Sequence, residues 1–180
     1  MKLPSIDECN SIIKKYGMPR NIELHTQKVR GVANFLAKKI LEKRFVDLDV
    51  VDRGALMHDF MKMYCIENDC RHAAEAGRVM ASLGYPVFGE ILKLHGLEEV
   101  LNFDANVSIE AKIVWYADKR VNHDKVVLLS ERYAYLKERY GSKSTEKMNQ
   151  IISTEKPAFD LEKELLSLAN VSEKLGEFNG

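Results

Sequence analysis

Apolar residues recur along this chain at intervals of three and four positions, while runs alternating with a period of two are scarce. This periodicity predicts helix from one end to the other and no convincing strand. Ser5 with Glu8 three residues on reads as a capping box that opens a helix through Ile6, Cys9, Ile12 and Ile13, stopped by Gly17 and Pro19. A longer helix is predicted from about Asn21 to Lys43. Its stripe of Leu24, His25, Val29, Val32, Ala33, Leu36 and Ile40 puts His25 on or beside the buried face.

Asp49 to Phe60 reads as a short helix carrying Val51, Ala55 and His58 on one face, and the segment through Tyr64 and Asp69 reads as a loop or broken turn. His72 then falls in the first turn of a helix over Ala73 to Leu83, ended by Gly84. Pro86 suits the first turn of the next helix, which holds Phe88, Ile91, Leu92 and Leu94 and closes at His95-Gly96. Ser108 is expected to cap a helix with Ile109, Ile113, Val114, Ala117 and Asp118 on its inner side. An amphipathic stretch from about Val126 to Tyr140 follows and stops at Gly141. The Ile151-Ile152 pair and a helical Phe159 to Leu175 segment, set apart by Pro157, make residues 142–180 a C-terminal helical extension rather than a second domain. The expected fold is therefore an all-α bundle over residues 1–141 with that extension packed on it.

With 180 residues, 46% of them hydrophobic and 30% charged, the chain is long enough to bury the core of one domain. Lysine and arginine, 27 together, balance 27 aspartates and glutamates, so no global field holds a nucleic-acid backbone or an anionic membrane, and neither partner is expected. No run approaches the roughly 18 apolar residues that span a bilayer, and the N-terminus lacks the apolar stretch of a secretory signal. A cytoplasmic location is expected. Cys9, Cys65 and Cys70 read as ordinary thiols, since Cys65 and Cys70 lack the second pair that a zinc knuckle requires.

Four of the five histidines fall at the inner faces or ends of successive predicted helices, in the order His25, His58, His72 and His95. Two aspartates join them. Asp59 follows His58 in the apolar segment Leu56-Met57-His58-Asp59-Phe60-Met61-Lys62, and Asp118 lies within Val114-Trp115-Tyr116-Ala117-Asp118-Lys119-Arg120, where a lone carboxylate would pay for its desolvation. A divalent metal held by imidazole and carboxylate meets that need. The second His-Asp pair, His123-Asp124, sits in polar surroundings and reads as a helix end or loop.

The order His25, His58-Asp59, His72, His95, Asp118 resembles the HD superfamily of metal-dependent phosphohydrolases. The match runs over about residues 21–140 and includes the apolar-apolar-His-Asp-x-x-Lys segment and the Ala-Asp-Lys run at Asp118. The resemblance implies an all-helical domain in which His25, His58, Asp59 and Asp118 bind a first divalent ion. Asp59 would bridge to a second ion completed by His72 and His95. One or two ions are implied, two being favoured, drawn from Fe, Mn, Ni, Zn or Mg. Six nitrogen and oxygen ligands leave coordination positions open for water and substrate.

The implied reaction is hydrolysis of a nucleotide or other small phosphoester by a metal-activated water. Asp59 and Lys62 are the candidate catalytic residues, and Lys62, Lys119 and Arg120 the candidates for binding substrate phosphate. The same ligand order is similar to that of bacterial diadenosine tetraphosphate hydrolases. It is also that of a di-iron HD branch that oxidises C–H bonds, and a non-catalytic nucleotide- or metal-binding module is a further alternative. Phe60 and Met61 stand where the family has an aliphatic and then a small residue, which implies a mouth of narrower or different shape. The amphipathic extension suits either a cap on the domain or a homodimer contact.

Overall fold

Ser5 Oγ accepts from the Glu8 N–H at 3.2 Å and the Glu8 carboxylate accepts from the Ser5 N–H at 2.7 Å, so the capping box forms and starts α1 (Ile6–Tyr16). The computed structural model describes residues 1–176 and Phe178; Glu177, Asn179 and Gly180, at the end of the expected extension, lie outside the described residues. The fold is all-α. After α1 come α2 (Arg20–Leu41), α3 (Leu48–Met57), α4 (Lys62–Asn68), α5 (His72–Ser82), α6 (Pro86–Lys93), α7 (Ile109–Lys119), α8 (Leu129–Arg139) and α9 (Thr145–Ala169). Among the described residues, no helix is long and apolar enough to cross a membrane.

The central helix is α2, whose Val29, Val32, Ala33, Leu36 and Ile40 are fully buried against α3, α7 and α9. Trp115 and Tyr116 of α7 fill the same core, and the stripe Ile151, Ala158, Leu161, Leu165 and Ala169 lays α9 over it. A second cluster, Met57, Phe60, Met61, Met80, Phe88 and Leu92, lies beneath α1, α5 and α6. Phe60 and Met61 are thus core side chains and line neither cavity beside the histidines, contrary to the expectation that they shape the mouth.

Four local expectations are corrected. The segment through Tyr64 and Asp69 is not a loop: α3 stops at Met57 instead of Phe60, and a turn over 58–61 leads into α4, which ends at Asp69 with a left-handed φ of 49°. That cap folds the chain back, the Cys70 N–H donates to the Cys65 carbonyl at 3.1 Å, and the two α-carbons come within 4.6 Å. Cys65 and Cys70 are consequently joined in a disulfide, not ordinary thiols, and only Cys9 is a free, buried thiol, its pKa pushed up to about 11 by burial.

Pro157 does not break the C-terminal helix. The carbonyl it leaves without a donor belongs to Ser153 on the exposed side, where water can serve it, and the buried stripe continues through the proline. Finally, β1 (Val121–Asn122) and β2 (Lys125–Val126) pair antiparallel around a two-residue turn in which His123 takes a φ of 58°. The strand pair occupies the start of the predicted Val126–Tyr140 stretch, so α8 begins only at Leu129.

Candidate metal centre

All six ligands expected from the sequence converge on one place, each delivered by a different backbone device. His25 stands in the second turn of α2, His58 caps the C-terminus of α3, and Asp59 occupies the turn that follows. His72 is the first residue of α5, His95 lies just beyond α6, and Asp118 is in the last turn of α7. The hairpin of α5 and α6 explains how His72 and His95 meet. The two helices cross at Gly77 and Gly89, where a β-carbon on Gly89 would lie 2.6 Å from the Gly77 carbonyl oxygen. At that close approach the start of α5 and the end of α6 lie side by side, with the two imidazole centroids 5.0 Å apart.

The histidine tautomers follow from their backbone partners. Nδ1–H of His25 donates to the His123 carbonyl at 2.8 Å, that of His58 to Ala55 at 2.8 Å, and that of His95 to Leu92 at 2.6 Å. In each ring an Nδ1–H held by a carbonyl turns Nε2 inward, the orientation in which a histidine ligates a metal. Nε2 of His58 and of His95 are buried and have no hydrogen-bond partner. His25 Nε2 lies 3.0 Å from Asp118 Oδ1, a contact between two acceptors that needs a proton or another cation between them.

Asp59 divides the cluster. Its Oδ2 faces His58 Nε2 at 3.5 Å and His25 Nε2 at 3.8 Å, while its Oδ1 faces His72 Nε2 at 3.2 Å and His95 Nε2 at 3.8 Å. The ligand atoms of His25, His58 and Asp118 lie within 4.8 Å of one another, and so do those of Asp59, His72 and His95. Each group could hold a metal ion. Orphaned inward nitrogens, acceptors in contact and a mixed imidazole-carboxylate donor set fit divalent transition metals better than Mg.

The electrostatics agree. Burial raises the cost of charge on Asp59, but His58 and Lys62 outweigh it and hold the carboxyl well below its ordinary range. At Asp118 the same burial is outweighed first by Lys119 and then by His25. Burial and the neighbouring His72 and His58 imidazoles hold His95 well below its usual pKa, so it stays neutral and able to ligate. At His58, burial is outweighed by Asp59 and Asp118, and the pKa rises: the two carboxylates draw positive charge to Nε2, which a proton or a metal ion can supply.

The three candidate cations separate. Lys62 follows the end of α3, and the turn over 58–61 aims its ammonium at Asp59 Oδ2, 2.7 Å away, from a half-exposed position. Lys119 Nζ is buried against the Asp118 carboxylate and donates to the His95 carbonyl at 2.9 Å. Arg120 is placed away from the site. Two residues along a helix are roughly 200° apart, so Arg120 leaves α7 on the side opposite Asp118. Its guanidinium meets Tyr116 and Glu162 and donates to the carbonyls of Val127 and Glu173, which ties α7 to the C-terminal extension.

A cavity of about 420 Å³ opens onto Asp59, His72, His95 and Asp118, and a second, of about 270 Å³, reaches His25. Lys62, Arg132 and Tyr140 line both. Arg71, Arg132 and Lys147 in the larger cavity, and the His123 carbonyl behind His25, are contributions that reasoning from the sequence missed. The left-handed turn residue of an Asn-His-Asp-Lys hairpin was the available signal for the last. No family model, no curated protein and no solved structure matches this chain.

Proposed function

We propose that this chain is a metal-dependent phosphohydrolase of the HD type, acting on a nucleotide or another small phosphoester. The observation that carries the reading is the division of Asp59, one oxygen toward His25 and His58 and the other toward His72 and His95, beside two buried imidazole nitrogens that lack partners. His25, His58, Asp59 and Asp118 would hold one ion, and Asp59, His72 and His95 a second. When bound, the ions would supply an acidified water as nucleophile and draw charge from the phosphoryl oxygens.

The chain's own residues do the rest. Lys62, ion-paired with Asp59 yet half exposed to the cavity, is placed to meet a phosphoryl oxygen and offset charge gathered during attack. Lys119 fixes Asp118 and the His95 backbone, so the carboxylate keeps its aim. Five cations, Lys62, Arg71, Lys119, Arg132 and Lys147, line the larger cavity, which suits an anionic substrate.

Elemental analysis of the protein purified without added metal, paired with hydrolysis assays under Mn, Fe, Ni, Zn and Mg, tests the reading. Two ions per chain are expected, with phosphoester hydrolysis lost in Asp59→Ala and about one equivalent of metal lost in His72→Ala. Unchanged hydrolysis in Asp59→Ala, or a protein that takes up no metal after reconstitution, would overturn it.

A further inference from the structure

The cations around the larger cavity are not equivalent. Lys62 is paired with Asp59, Lys119 with Asp118, and Arg71 with Glu98. Arg132 and Lys147, from α8 and α9, have no carboxylate partner among the described residues. Arg132 is half buried, donates through Nη1 to Asn122 Oδ1 at 2.8 Å, lies 5.4 Å over the Tyr135 ring, and keeps a buried Nε with no hydrogen-bond partner. Lys147 is exposed and reaches only Gln150 Oε1, at 2.9 Å.

A half-buried guanidinium with an idle N–H is costly unless an anion meets it. Lys62 and Arg132 line both cavities, so the metal-side cation and the outer cation face the same two openings. The larger of the two also exposes Asp59, so Arg132 borders the cavity in which the metal-ligand candidates lie.

We propose that Arg132 and Lys147 form a second anion subsite, which selects substrates carrying a further phosphoryl group beyond the one placed at Asp59. The inference rests on the phosphohydrolase reading and deepens it: the substrate class is a diphosphate or longer phosphate chain rather than a simple monoester. Arg132 offers the planar donor set that phosphate oxygens accept, and Lys147 adds a mobile charge at the rim. The C-terminal extension thereby contributes to recognition as well as to packing.

The test compares two probes that differ by one phosphoryl group, adenosine monophosphate and the non-hydrolysable α,β-methylene analogue of adenosine diphosphate. Each is titrated calorimetrically into the full chain loaded with Mn²⁺. The wild-type protein should bind the diphosphate analogue about 10-fold more tightly or better, as expected for a charge-assisted contact. Arg132→Gln should erase that preference while leaving monophosphate affinity within about twofold and the metal content unchanged. Because Arg132 also braces Asn122, Lys147→Gln at an exposed position gives an independent measurement, with an expected loss of about threefold for the diphosphate alone.

Equal binding of the two probes by the wild-type protein, or a preference that survives both substitutions, would overturn the subsite and leave the phosphohydrolase reading standing. If neither probe binds, the subsite is overturned, while the phosphohydrolase reading stands or falls on the metal content and on hydrolysis in Asp59→Ala.

Discussion

The ammonium of Lys119 donates to the backbone carbonyl of His95 at 2.9 Å while contacting the carboxylate of Asp118, so one buried cation ties together a ligand from each of the two three-residue groups. Without it, Asp118 would remain buried with only His25 and His58 near it. Lys119→Met should cost about 3 kcal/mol in urea unfolding of the metal-free protein, the usual cost of stranding a buried partner. Saturating divalent metal should restore part of that loss, since an ion at His25, His58 and Asp118 replaces the missing charge. A loss below about 1 kcal/mol would show that the lysine is not what holds the carboxylate.

Gly89→Ala should destabilise the chain by about 1–3 kcal/mol, because the added methyl group meets backbone rather than a side chain that can swing aside. The more telling measurement is metal content. If the α5–α6 crossing sets the meeting of His72 and His95, forcing the helices apart should remove about one equivalent and spare the ion held by His25, His58 and Asp118. Full metal content in a folded Gly89→Ala protein would mean the crossing has slack.

Lys62→Gln keeps a polar side chain but removes the ammonium beside Asp59. Turnover of a phosphoester should fall about 100-fold or more, in the range seen when one preorganised stabiliser of developing charge is lost. Bound metal should stay unchanged. Metal loss in Lys62→Gln would instead make the lysine a structural partner of Asp59.

Away from the site, Arg30 donates to both oxygens of Asp52, at 2.7 and 2.6 Å, and Asn34 donates to it at 2.6 Å. Partial burial works against the carboxylate, but these bonds outweigh it and lower its pKa below the ordinary 3.8. With the folded pKa depressed, the stabilisation is present above the unfolded value and is lost as pH falls through the folded one. Asp52→Asn should therefore be less stable than the wild-type chain at neutral pH. The gap in urea midpoint should close as the pH falls below the ordinary carboxyl value of 3.8 and through the lowered folded one. A gap independent of pH would assign the effect to packing.

How far the molecule could be read in advance depended on whether a feature is local. The stripes of α2 and α7, the Ser5 capping box and the Ser108 cap involve neighbours three or four positions apart, and periodicity exposes them. The six candidate ligands were legible because polar groups at apolar helix ends need partners. Their grouping came only from the family resemblance, since spacing and periodicity carry neither the crossing at Gly77 and Gly89 nor the orientation of one carboxylate that produce it. Arg120 was misread by adjacency in sequence, although a two-residue step around a helix turns it away from Asp118. Arg132 was overlooked for the opposite reason: the stripe Leu129, Tyr133 and Leu136 leaves it on the outer side of α8, and only the turn of that helix toward the cavities gives it a role.

The carbonyl of His123, offered by a turn two residues long, has a bearing on when this molecule becomes competent. His25 takes its orientation from that carbonyl and its acidic neighbour from α7, which lie 98 and 93 positions further along the chain. Contacts of such separation are closed late, after the local helices have formed. A chain still emerging from the ribosome would carry His25, His58, Asp59, His72 and His95 before it had the residues that orient the first and balance the rest. Capture of an ion by the His25, His58 and Asp118 group would thus mark the completion of folding, and a chain truncated before Asp118 should not show it.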